Sequence, residues 1–172
     1  MKAEPSAAAD TRMMGIVHGA LRRDLARAAY ALLHQPFPGD AQRVAIAQHL
    51  QAMMHFLRIH HSGEDAWLWP TMRRLNPGAS DVLDQMDADH LAITPHMEEV
   101  TAAASAYEKS ATGREALVSA LSDLRGTLDP HLRRGQRACD DRHHLVLFAA
   151  QVWIEGAPQV AEGAHQRFSS GR

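Results

Sequence analysis

The chain has 172 residues, 45% of them hydrophobic and 22% charged, which fits one globular domain with its own core and excludes a disordered polymer. A net charge of −2 excludes a nucleic-acid binder that works by counterion release, and no apolar run reaches the roughly 18 residues of a membrane span. A single cysteine, Cys139, excludes a disulfide framework and a Cys-rich zinc or iron–sulfur site. The start, Met1-Lys2-Ala3-Glu4-Pro5, lacks the apolar centre of a secretory leader, so a cytoplasmic protein is expected, with neither nucleic acid nor membrane among its partners.

Ala and Leu are abundant, β-branched residues are sparse, and no alternating run of strand length appears, so helices are predicted throughout. Residues 1–10 read as a flexible, Ala-rich N-terminus. The first helix is predicted from Thr11 to Leu33, capped by Asp10 or Thr11 and stopped by Gln35-Pro36-Phe37-Pro38-Gly39. The second starts at Asp40, a good N-cap, and reaches Leu75, with weak points at Ser62-Gly63 and Pro70; Asn76-Pro77-Gly78 ends it. The third runs from Ser80-Asp81 to Tyr107 with a kink at Pro95, and the fourth from Thr112 to Cys139 with a kink at Pro130. Four long helices with short links make residues 11–139 an all-α, up-down-up-down four-helix bundle. Residues 140–172 read as a divergent C-terminal tail.

Each helix carries one apolar stripe in steps of three or four. The stripes are Met14, His18, Leu21, Leu25, Ala28, Leu32; then Ile46, Leu50, Met53, Leu57, His60, Glu64; then Leu83, Met86, His90, Ile93, Met97, Val100; and last Leu117, Leu121, Leu124, Leu128, His131, Gly135. Every stripe holds a histidine, in a chain whose 12 histidines outnumber its four Phe, three Trp and two Tyr. A lone histidine on an apolar face is ordinarily a satisfied core residue. Four of them at one depth are another matter. In an antiparallel bundle His18 and His90 lie early in their helices and His60 and His131 late, so all four converge on one layer. Neutral imidazole is a good ligand for iron, zinc, nickel and copper. Glu64 follows His60 by one turn and points to the same centre, where a buried carboxylate needs a cation or a proton.

The other candidates read more plainly. His61 and Asp65 share a face with Met54 and Arg58, and Arg58 makes that an exposed pair on a solvated face. His49 and His55 read as surface or boundary residues, His34 as a cation suited to the end of the first helix, and His96 as a weak candidate flanking the stripe. Trp67 and Trp69 are expected to pack against a neighbouring helix. No serine or cysteine lies in a motif with a base, and Cys139 reads as a helix-end thiol.

Val17-His18-Gly19-Ala20-Leu21-Arg22, the run from His60 through Glu64-Asp65-Ala66-Trp67-Leu68-Trp69-Pro70, Asp89-His90, and Asp129-Pro130-His131-Leu132-Arg133-Arg134 together resemble a hemerythrin-type HHE cation-binding domain over residues 13–137. The resemblance implies a bundle holding a non-haem di-iron centre, with histidines from all four helices and two bridging carboxylates. The family's positions fall on His18, His60, Glu64, His90 and His131 as metal ligands. It implies a protein that binds or senses O2 or a related small ligand such as peroxide or nitric oxide, its protein partner unknown. A peroxide- or nitric-oxide-handling iron enzyme and a metal-free helical interaction module are the alternatives.

Two departures matter. Family members carry a second His-x-x-x-Glu in the last helix, whereas Gly135 and then Gln136 stand here. Two irons would then share five protein ligands with one carboxylate among them, so weakened di-iron binding, a mononuclear site and a site without metal are all open. Asp87 is a substitute carboxylate only if it leans inward; a solvated helix acid is the plainer reading. Beyond residue 138 the pattern fails abruptly. That motivates the hypothesis of a shifted reading frame, with His143-His144 as a surface pair; an absence of any HHE-like continuation in the neighbouring frame of the coding DNA would refute it.

Overall fold

A computed structural model describes residues 12–140. The tail from residue 141 on, with its His143-His144 pair and the frame-shift hypothesis, lies outside the described residues, as does the N-terminal segment. The chain forms α1 (Arg12–Leu33), α2 (Asp40–Gly63), a π-helical turn (Glu64–Leu68) that runs on into α3 (Trp69–Leu75), then α4 (Ser80–Lys109) and α5 (Arg114–Asp140), with 3-10 turns at Pro77–Ala79 and Ala111–Gly113. Helix α1 meets α2 and α5, and α4 meets α2 and α5, which closes the four-helix bundle expected from the stripes. Among the described residues no helix is long and apolar enough to cross a membrane.

The stripes face inward. Leu21, Leu25, Ala28 and Leu32 of α1 pack with Leu50, Met53 and Leu57 of α2, Ile93, Met97 and Val100 of α4, and Leu117, Leu121, Leu124 and Leu128 of α5. Leu124 is fully buried at the middle of this core. Leu124→Ala is expected to destabilise the bundle by about 2–5 kcal/mol, from lost transfer energy plus the cavity left behind, read as a lower midpoint in urea unfolding.

Prolines 95 and 130 lie inside α4 and α5, which run through them as single helices. Asp40 is the first residue of α2 rather than its cap; Gly39 takes the cap position without a side-chain bond, and the Asp40 carboxylate meets Arg43 at 3.3 Å. Two arginines fasten the end of the bundle where α1 and α4 finish. Arg43 of α2 donates to the carbonyls of Tyr107 (2.9 Å) and Glu108, and Arg114 donates to the Leu32 carbonyl (2.9 Å) while lying over the Phe37 ring. Both occupy carbonyls that a helix C-terminus leaves without intrahelical donors. Gly113 is obligatory in the α4–α5 turn, since a Cβ there would sit 2.9 Å from the Tyr107 backbone nitrogen.

The π turn follows Gly63 and precedes Pro70, close to the predicted weak points. Pro70 has no N–H to offer the Ala66 carbonyl, and the Trp69 N–H bonds Glu64 five residues back. The added residue shifts the buried stripe, which continues as Leu68, Trp69 and Met72. Trp67 is therefore turned to solvent, 59% exposed, which corrects its assignment as a packing residue. Trp69 does pack, in a second apolar cluster with Leu68, Met72, Ala79, Leu83 and Met86.

Candidate metal centre

The histidine layer lies between the two apolar clusters. Along α4, Leu83 and Met86 precede His90 and Ile93 follows it; along the second rod, Leu57 precedes and Leu68 follows. Placed there, His18, His60, Glu64, His90 and His131 are all buried. The four helices bring the five residues to one depth. Ring centroids are 5.8 Å apart for His18 and His60, 6.5 Å for His18 and His131, and 4.9 Å for His90 and His131. Glu64, 3% exposed, faces two sides: Oε1 lies 3.4 Å from His60 Nε2 and Oε2 lies 3.3 Å from His90 Nε2.

His61 is where the sequence reading fails. It is not an exposed residue paired with Asp65 but is buried, 5% exposed, with its ring stacked on His90 at 4.0 Å. The buried face of α2 is wider than a single file: Leu50, Met53, Met54, Leu57, His60 and His61 all turn inward, and Glu64 follows in the π turn. Such an i, i+3, i+4, i+7 stripe covers 100° or more of a helix. Buried Met54 and Leu57, seven and four residues before His61, were the available signal, and Arg58 at the edge of the stripe masked it. Side-chain donor atoms of His61, Glu64, His90 and His131 lie within 4.8 Å of one another. Metal–ligand bonds of roughly 2.0–2.2 Å would draw them about 1 Å closer.

Among the described residues most of the polar atoms that face this layer have no hydrogen-bond partner. Both ring nitrogens of His18 and of His61, Nε2 of His60 and of His90, Nδ1 of His131 and Oε2 of Glu64 are buried without an aligned hydrogen bond. Native interiors rarely leave such groups unmatched, and a cation would satisfy them together. Burial, and then the neighbouring His60, lowers the pKa of His18 to about 4; burial and His90 lower His131 to about 4 and His61 to about 2. These rings are therefore neutral at pH 7, the form that coordinates metals. Burial opposes charge on His90 and Glu64 as well, but their mutual attraction, with Asp65 helping His90, outweighs it: His90 is raised and Glu64 is held below the usual carboxylate range.

Two carboxylates stand behind the rings. Half-exposed Asp65 accepts a hydrogen bond from His90 Nδ1 at 2.6 Å, which turns Nε2 towards the centre. Asp89 lies 3.5 Å from His131 Nδ1 and is clamped by Arg134 and Gln85, which overcome the effect of burial and keep it ionised. Asp65→Asn is expected to weaken metal binding about 10- to 100-fold by loosening His90, measured by competition with a chelator. Asp87 binds Arg73 at 2.6 Å instead of leaning inward. His96 faces Glu99, His34 bonds the Tyr30 carbonyl, and His49 and His55 are exposed; none joins the layer. Gly135 does face it: a Cβ there would lie 3.3 Å from His18 Cε1 and 3.8 Å from Met86 Cε.

No curated protein and no solved structure gives a significant match to the sequence. Residues 10–135 match the hemerythrin HHE cation-binding domain, well over half of the sequence. A buried His/Glu cluster at the heart of an all-helical bundle is what a cation-binding domain of that kind needs, and the chain belongs to the hemerythrin HHE cation-binding family.

Proposed function

We propose that the chain is a non-haem iron protein that binds or senses O2 or a related small ligand, peroxide or nitric oxide. The observation that supports this most is the buried layer of imidazoles around the Glu64 carboxylate, with both nitrogens of His18 and His61 and Nε2 of His60 and His90 lacking a hydrogen-bond partner among the described residues. Iron, when bound, supplies one-electron chemistry and an open coordination position to a diatomic or peroxide. The protein's part is to hold and to exclude. His61, Glu64, His90 and His131 would grip the cation, and Glu64 would offset part of its charge. Asp65 fixes the His90 tautomer through Nδ1. The cluster of Leu68, Trp69, Met72, Leu83 and Met86 keeps bulk water from that end of the layer. His18 and His60 complete its other side.

The test is anaerobic loading of the full chain with ferrous iron, removal of excess, and exposure to O2, nitric oxide or peroxide in turn. A visible absorption change with O2 or nitric oxide, reversed on removing the gas, is expected for a binder or sensor. Catalytic disappearance of peroxide would move the reading to an enzyme, and failure to retain any iron would refute the proposal.

A further inference from the structure

The layer is lopsided. Glu64 divides it: Oε2 faces His90, grouped with His61 and His131, while Oε1 faces His60, with His18 beyond it. The first half has three imidazoles. Both outer carboxylates also stand on that side, Asp65 on His90 and Asp89 beside His131. The second half has two imidazoles, and among the described residues neither nitrogen of His18 has a partner. Its remaining corner belongs to α5, and there the residue is Gly135. The His18 ring leans against that glycine, so near that even a Cβ would press on it at 3.3 Å.

We propose that this centre takes one ion, held by His61, Glu64, His90 and His131, and that His18 and His60 remain metal-free imidazoles beside it. The inference rests on the cation-binding reading above and adds the number of ions and their place. Charge decides it. Two divalent ions would bring four positive charges into a buried layer with one inward carboxylate. Uncompensated charge in such a place costs several kcal/mol per ion even after relaxation. One ion in the first half meets Glu64 directly and has Asp65 behind its ligand; an ion in the second would share Glu64 and gain no other anion from the described residues. A side chain at position 135 would redress the balance only if the His18 ring gave way by a few tenths of an ångström.

The experiment counts iron on the full-length chain after anaerobic ferrous loading, then reads the electron paramagnetic resonance of the oxidised sample. One iron per chain with the signal of an isolated high-spin ferric ion is expected. His18→Ala should keep that iron with its Kd changed less than about threefold, whereas His61→Gln should raise the Kd at least about 100-fold, beyond what outer-shell changes cost. Far-ultraviolet circular dichroism checks that both variants fold, and the wild-type count stands without them. Two irons per chain, silent as a coupled pair, would overturn this inference alone. So would an ion lost in His18→Ala yet kept in His61→Gln. A wild-type chain that holds no iron would overturn the cation-binding reading with it.

Discussion

Glu64→Gln is expected to abolish iron retention while leaving the bundle folded. The amide matches the carboxylate in shape but carries no charge, and among the described residues Glu64 is the one carboxylate that the layer turns fully inward, 3% exposed. The imidazoles of His61, His90 and His131 can supply lone pairs but not an anion. Without it, a divalent ion meets a layer walled by Leu68 and Met86 on one side and Ile93 and Leu132 on the other. Outer-shell changes at metal sites cost about 10- to 100-fold in affinity, and removing the only inward anion should exceed that. Elemental analysis of the variant beside the wild type, with circular dichroism to show the fold, measures it. A variant that retains iron at wild-type affinity would mean that the ion sits elsewhere. In the variant His90 also loses the Glu64 attraction that raises its pKa, leaving Asp65 alone against the effect of burial.

The second large effect is acid lability of the metal-free protein. His18 and His131 titrate at about 4 and His61 at about 2 in the folded chain, against 6.5 when unfolded. A lowered folded pKa means that the unfolded chain takes up the proton first, so stability is unaffected above pH 6.5 and falls below it. At pH 5 each of the three groups has cost about 2 kcal/mol, and together they approach the 5–15 kcal/mol that holds a typical domain. His90 works the other way. Its raised pKa stabilises the fold below 6.5, and that contribution is lost as pH rises through its folded value. Glu64, with its depressed pKa, adds nothing to the change between pH 6.5 and 5, since its stabilisation is lost only as pH falls from about 4.5 through the folded value. The chelator-treated protein should therefore be most stable near pH 6.5 and lose on the order of 5 kcal/mol by pH 5, measured as urea midpoints across that range. A flat profile would mean that the rings are solvated.

The bundle was legible because its signals are local. Loop residues stand where helices stop, and a stripe repeats every turn; Leu50, Leu57, Ile93, Leu121 and Leu124 needed nothing more. The centre was half legible. His18, His60, His90 and His131 lie on the central file of their stripes, where periodicity points. His61 lies one file over, next to charged Arg58 and Asp65, and only the width of the packed face decides that it is inside. Asp65 was obscured because its partner is 25 residues away on another helix. Trp67 was misplaced because a π turn changes the register, and a proline five residues on from Asp65 does not reveal which side the slack will fall on. The missing acid at 135 could be read directly; that His18 rests against the gap could not.

Arg43 and Arg114 pin the bundle at the end where α1 and α4 finish, about 25 Å along α5 from His131. The molecule is thus sewn shut at one hem, and towards the other the imidazole layer and the Arg22–Asp129 ion pair at 3.7 Å draw the start of α1 and the close of α5 together. An ion seated there would act as a button. Amide hydrogens near Leu32 and Tyr107 should exchange at the same slow rate with or without metal, while those around His18 and His131 should quicken when the metal is stripped, so that the fabric loosens from one edge only.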